Sequence, residues 1–212
     1  MKEPTVKKLV APLSLVLTLA STHALASSTE VTLTGTLTPS ACTPTLGNGG
    51  LVDYGGVSIE ELEAHDDHYK LPDKQLSLTI QCASETSYAL ITTDNRHESS
   101  SSSTFSHGLG MHKGQQVGAL AIGLSDPELD GTPSKVLVSY NAGQTWFAGL
   151  FLYFSPSQKS PATRVAFGAQ TMPVPATRLS ANLDITSMIS NTLPFNEEIP
   201  IDGSVTFNIM YL

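Results

Sequence analysis

The chain predicts an all-β fold, and three observations carry that prediction. Apolar residues alternate with polar ones at period two in several short runs, among them Leu76, Leu78 and Ile80 in KQLSLTIQC, and Val205, Phe207, Ile209 and Tyr211 near the end. Such alternation is the signature of half-buried strands. Clusters of Gly, Pro, Asn and Ser separate most of the runs and supply turns. No long stretch has helical periodicity, and residues 59–64 amount to one short turn at most. Many short strands punctuated in this way predict a sandwich or barrel.

The first 26 residues carry Lys2, Lys7 and Lys8, an apolar run over 9–19 and the small-residue pattern Ala24-Leu25-Ala26. That is a secretory leader, with cleavage expected before Ser27. Its apolar run is shorter than the about 20 residues a spanning helix needs, and no later segment is long and apolar enough either. Residues 27–212 are therefore expected to be exported, with no transmembrane segment in the mature chain. The formal net charge is −8, and it becomes −10 once three lysines and one glutamate leave with the leader. An acidic, lysine-poor surface argues against nucleic acid or anionic lipid as partner.

Residues 30–42, EVTLTGTLTPSAC, place Val31, Leu33, Gly35 and Leu37 on one face and threonines on the other. They predict a half-buried first strand ending at the first cysteine. Gly35 in the apolar face marks a close approach by another backbone. Cys42 and Cys82 are the only cysteines. In an exported chain an isolated pair is most simply one disulfide, and closing a loop of about 40 residues contributes roughly 3–4 kcal/mol. The competing reading is two thiols of a zinc or redox site, although no CxxC and no histidine at ligand spacing accompany either one. The second cysteine is also expected to end a strand. Further strands are predicted over 88–92, 119–124, 135–140, 145–154, 164–171 and 178–185.

Three features raise the question of an enzyme. His65-Asp66-Asp67-His68 offers four metal-ligand types in four residues, but neighbours in a strand or loop point in different directions, whereas a hydrolytic site needs converging ligands and an open position. Its surroundings, EELEAHDDHYK, read as a solvated charged segment. Residues 139–146, SYNAGQTW, match the S-x-[DN]-x-G-x-T-W Asp-box, which recurs in sialidase propellers as a hairpin turn away from the catalytic centre. One copy predicts a hairpin between Lys135 and Phe154, not glycosidase activity. The general supply of Ser, His and Asp includes no G-x-S-x-G elbow and no phosphate-binding glycine loop. The serine run 99–103 reads as a flexible surface loop.

An alternating strand with an inward glycine, followed by small residues and a cysteine, resembles the N-terminal extension of chaperone–usher pilins. GGLVDYGGVSIEEL resembles the short strand and turn after the first pilin cysteine. TDNR (93–96), GLG (108–110) and the final DGSVTFNIMYL look like a pilin-like family of exported β-fimbrial proteins. One departure is Ile199, where pilins often have glycine. The resemblance implies an immunoglobulin-like incomplete β-sandwich with a disulfide near its base. Its parts would be a signal peptide (1–26), a donor-strand extension (27–39) and a sandwich domain (40–212). Val31, Leu33, Gly35 and Leu37 would enter a neighbouring subunit, and Val205, Phe207, Ile209 and Tyr211 would form the strand beside the groove that a chaperone binds. The expected role is a structural subunit of a cell-surface fimbria in adhesion or biofilm formation. The expected partners are a periplasmic chaperone, an outer-membrane usher and neighbouring fimbrial subunits, a self-polymer among them, with no catalytic residue, cofactor or metal. A self-contained secreted or periplasmic carbohydrate-binding sandwich is the alternative, and a secreted hydrolase the third reading.

Overall fold

A computed structural model describes residues 34–35, 41–65, 67–100, 107–149 and 157–212. The chain divides into two units, Met1–Thr38 and Pro39–Leu212. Of the first, only Thr34 and Gly35 are described, both exposed and outside any strand. Val31, Leu33 and Leu37 lie outside the described residues. Nothing lies within 4 Å of the position a Cβ would take on Gly35. These two residues pair with no strand among the described residues, and residues 30–33 and 36–40 of the strand expected over 30–42 lie outside them.

The second unit is all-β, with no α-helix among its described residues. In chain order its strands are β1 (Cys42–Leu46), β2 (Glu63–Ala64), β3 (His68–Lys70), β4 (Lys74–Thr86), β5 (Tyr88–Asp94), β6 (His107–Gly108), β7 (Met111–His112) and β8 (Gln115–Gln116). There follow β9 (Gly118–Leu129), β10 (Thr132–Pro133), β11 (Lys135–Ser139), β12 (Phe147–Ala148), β13 (Arg164–Ala169), β14 (Met172–Pro173), β15 (Ala176–Ser190) and β16 (Val205–Tyr211). Ile59–Glu61 forms a 3-10 turn, as the sequence implies; the Ser58 hydroxyl accepts from the Glu60 amide at its start.

Two main sheets face each other. In the first, β15 is central, bonded to β4 along one side, to β9 along the other, and to β3 near its end. The second runs β12-β11-β13-β5-β16. The core between them includes Leu78 and Ile80 of β4, Leu90 of β5, Val165 of β13, and Leu179 and Leu183 of β15, all buried. Each such side chain contributes about 1.5–3 kcal/mol of burial.

Cys42 and Cys82 form a disulfide and face each other directly in the β1–β4 ladder, with their Cα atoms 4.0 Å apart. Neither cysteine ends a strand, as the sequence had implied: Cys42 opens β1, and Cys82 lies inside β4. A directly opposed antiparallel pair brings two Cβ atoms within bridging range. The strands expected over 119–124 and 178–185 are longer than predicted, because the β9–β15 ladder carries both through polar residues that read as ends. Of the strand expected over 145–154, Phe147–Ala148 is observed and 150–154 lie outside the described residues. The EELEAHDDHYK segment holds β2 and β3, which its polarity concealed. The 99–103 expectation also changes. Ser99 and Ser100 are buried, Ser99 closing a 3-10 turn, and the rest of that run is not described.

Candidate functional site

β16 lies at one end of its sheet among the described residues, with β5 as its strand partner. The Asn95 amide donates to the Ser204 carbonyl and the Leu212 amide to that of Ser87. These two bonds set the phase of the ladder. Even-numbered residues address β5, and the odd-numbered ones turn N–H and C=O toward the other side. The odd side chains face inward, and Val205, Phe207 and Ile209 are half-buried against the core.

Alongside β16 runs a groove of about 1400 Å³. Its floor includes Ile122 of β9 and Leu183, Ile185 and Ile189 of β15. The lining also takes in Leu46, Tyr54, Val57, Leu62 and Leu76, and, from β16 and the segment before it, Phe195, Ile199, Val205 and Phe207. The groove exceeds the roughly 300–1,000 Å³ of a usual small-molecule pocket. At the C-terminal end of β16 the Tyr211 hydroxyl accepts from the Cys42 amide at 3.1 Å. That bond ties the end of β16 to the start of β1, beside the disulfide. Cys42, Cys82 and Tyr211 thus meet, while Val205, Phe207 and Ile209 follow one another up the strand.

At the Val205 end, the phrases TDNR, GLG and DGS converge on one polar knot. The fully buried Asp94 accepts from the Arg96 amide at 2.8 Å and the Gly108 amide at 2.9 Å. Arg96 donates from Nε and Nη2 to the two oxygens of Asp202, at 2.8 and 2.9 Å, a bidentate pair. Asn95 Nδ2 reaches Ser204 Oγ and Thr206 Oγ1, both at 3.0 Å. Ser99 Oγ accepts from the Gly110 amide and donates to the Arg96 carbonyl. A Cβ on Gly108 would meet Ser99 Oγ at 2.3 Å and Arg96 O at 2.4 Å, so no side chain fits there.

The groove wall is clasped a second time where Lys113 Nζ donates to both oxygens of Glu197 and His112 Nε2 lies 3.0 Å from one of them. The hydrogen bond from Lys113, then that from His112, holds the Glu197 carboxyl below its ordinary range; Arg96 does the same for Asp202. Inside the knot, fully buried His107 places Nε2 3.0 Å from Thr92 Oγ1, and its Nδ1 has no hydrogen-bond partner among the described residues. Burial pushes the His107 pKa down, with Asp94 opposing.

The Asp-box is a closed hairpin turn, as its pattern implies. Ser139 Oγ accepts from the Gly143 amide at 2.8 Å and Asn141 Oδ1 from the Thr145 amide at 2.9 Å. Ala142 and Gly143 take positive φ, and Leu137 pairs with Ala148 across the ladder. Tyr140 and Phe147 beside it are exposed. His65 and His68 stack with ring centroids 4.8 Å apart, and His68 Nδ1 lies 2.6 Å from Asp67 Oδ1. Asp66 is not described. Among the described residues no three His, Cys, Asp or Glu side chains gather as metal ligands.

Sequence reasoning missed the part of the lining over 51–58, the Arg96–Asp202 pair and the buried Asp94. TDNR, GLG and DGS were visible as phrases, and their meeting was not.

Residues 31–121 match the model of a family described as "Protein of unknown function (DUF1120)". Two curated proteins of Escherichia coli K12 are similar over most of their length. "Uncharacterized protein YhcF" is 26% identical over 211 residues, covering 84% of this chain and 87% of that protein. "Protein GltF" is 28% identical over 226 residues, covering 88% and 89%. The matched 31–121 span takes in both cysteines, TDNR and GLG.

Proposed function

We propose that this chain is an exported structural subunit of a cell-surface fimbria, whose groove takes a β-strand from another chain. The observation that carries the reading is the groove itself, apolar along its floor and bordered by β16 at the end of its sheet. A strand laid there pairs with main chain and inserts alternate side chains, the mode of strand addition. On this reading a periplasmic chaperone fills the groove first, and at an outer-membrane usher the extension of a neighbouring subunit replaces it. Where this chain's own extension enters a neighbouring subunit, its Val31, Leu33 and Leu37 bring about 1.5–3 kcal/mol each, and each main-chain bond about 1 kcal/mol net. The role is structural, serving adhesion or biofilm formation, with no catalytic residue or cofactor.

The test compares residues 40–212 alone with the same chain carrying 29–39 on a flexible C-terminal linker. The truncated form is expected to aggregate or to melt well below the complemented one. Equal stability of two monomers removes the proposal. The exposed Tyr140 and Phe147 beside the Asp-box turn favour a second reading, a self-contained carbohydrate-binding sandwich. In that case the truncated chain is stable and glycan affinity is lost in Tyr140→Ala and Phe147→Ala.

A further inference from the structure

The residues lining the groove include five carboxylates, Asp53, Glu60, Glu197, Glu198 and Asp202, and no lysine, arginine or histidine. Two are already neutralised from outside the lining, Glu197 by Lys113 and Asp202 by Arg96. Asp53, Glu60 and Glu198 are exposed and have no cationic partner among the described residues. Asp53 and Glu60 belong to the part of the lining between β1 and β2, and Glu198 to the segment that leads into β16. An apolar floor between acidic rims carries two demands at once: alternating apolar side chains beneath and positive charge above. Charges at a rim set partner choice more than total affinity, since like charges brought together are penalised and opposite ones steered in.

The chain's own extension meets the first demand and not the second. Residues 27–39, SSTEVTLTGTLTP, hold one acid, Glu30, and no lysine or arginine. A second copy's extension therefore brings a carboxylate to a rim that already carries uncompensated carboxylates.

Resting on the strand-uptake reading above, we infer that the groove's occupant is a strand from a different protein, with a lysine or arginine flanking its apolar residues. The same groove discriminates against the extension of a second copy of this chain. Neighbours along the fibre are then unlike, and the first occupant is a basic strand.

The experiment measures binding of fluorescent peptides, capped at both ends, to the mature chain. The probes are residues 28–38 in their own sequence, the Glu30→Lys and Thr38→Lys versions and a scrambled control; the two lysine positions cover either direction of insertion. At low salt at least one lysine peptide is expected to bind about three- to tenfold more tightly than the unsubstituted one, as for a few exposed charge contacts. That advantage should shrink below about twofold at roughly 0.5 M salt, where screening reaches only a few ångströms. It should also vanish in the Asp53→Asn/Glu60→Gln/Glu198→Gln chain. Equal or tighter binding of the unsubstituted peptide at low salt overturns the inference and leaves strand uptake standing. Failure of every peptide to exceed the scrambled control overturns strand uptake, and the inference with it.

Discussion

β15 and β16 carry the same alternating pattern and meet different fates. Leu179, Ala181, Leu183, Ile185 and Ile189 of β15 are at most 8% exposed, and the strand has ladder neighbours on both sides. Val205, Phe207 and Ile209 of β16 are only half-buried, and the strand lies at the end of its sheet among the described residues. Period-two alternation states which face of a strand turns inward; whether anything covers that face depends on neighbours brought from far along the chain.

The sharpest way to break this comparison is to put a carboxylate on each strand. Leu183→Asp buries an uncompensated charge in β15 and is expected to cost about 4 kcal/mol or more, enough to leave little folded protein by circular dichroism. Val205→Asp, at a half-buried position that lines the groove, keeps access to water and should cost only about 1 kcal/mol in urea unfolding, while abolishing peptide uptake there. Equal costs would mean the two strands are equally enclosed.

Next in size is the bridge beside the Tyr211 end of β16. Cys42→Ser/Cys82→Ser should lower stability by about 3–4 kcal/mol, read from the urea midpoint. The loss should disappear when wild type is measured under a strong reductant.

A smaller effect sharpens the comparison at the Val205 end. His107 is held neutral by burial, with its pKa below the ordinary value. The unfolded chain binds a proton near pH 6.5 and the folded one does not, so the unfolded state holds more protons below that pH. Stability contributed there is complete above about pH 6.5 and is lost as pH falls through the lowered native value. His107→Gln should flatten the urea midpoint between pH 7 and 5.

The smallest effect is expected from Asp202→Asn, which removes an exposed ion pair. Global stability should barely change, while hydrogen exchange at the Asp202 amide, bonded to the Leu109 carbonyl, becomes faster. A global loss as large as that of the disulfide variant would mean the knot belongs to the core.

The fold was legible where local pattern and turn chemistry agree. Leu76, Leu78 and Ile80 mark β4, and Asn141 and Gly143 mark a hairpin turn closed by the local bonds of Ser139 and Asn141. The disulfide followed from there being two cysteines in a chain whose leader-like start predicts export. Its place in the ladder did not, because register depends on both strands. The buried Ser99 and Ser100 were hidden because a serine run looks solvated unless its partners, here Arg96, Gly110 and Lys159, are brought to it. Of the candidate site, β16 could be read from its alternation and Tyr211. The part of the lining over 51–58 could not, since those residues belong to no strand or ladder.

Two of the glycines held against backbone illustrate how freely this sequence can drift. A Cβ on Gly118 would come within 2.0 Å of the Met188 carbonyl oxygen, and Gly108 is closed off in the same way by Ser99 and Arg96. In both cases the obstacle includes backbone, which no change of neighbouring side chain can remove. Most positions on these strands can trade one residue for another under selection for stability alone. These two admit one amino acid for as long as the register holds, so any descendant lacking glycine at either has rebuilt the ladder around it.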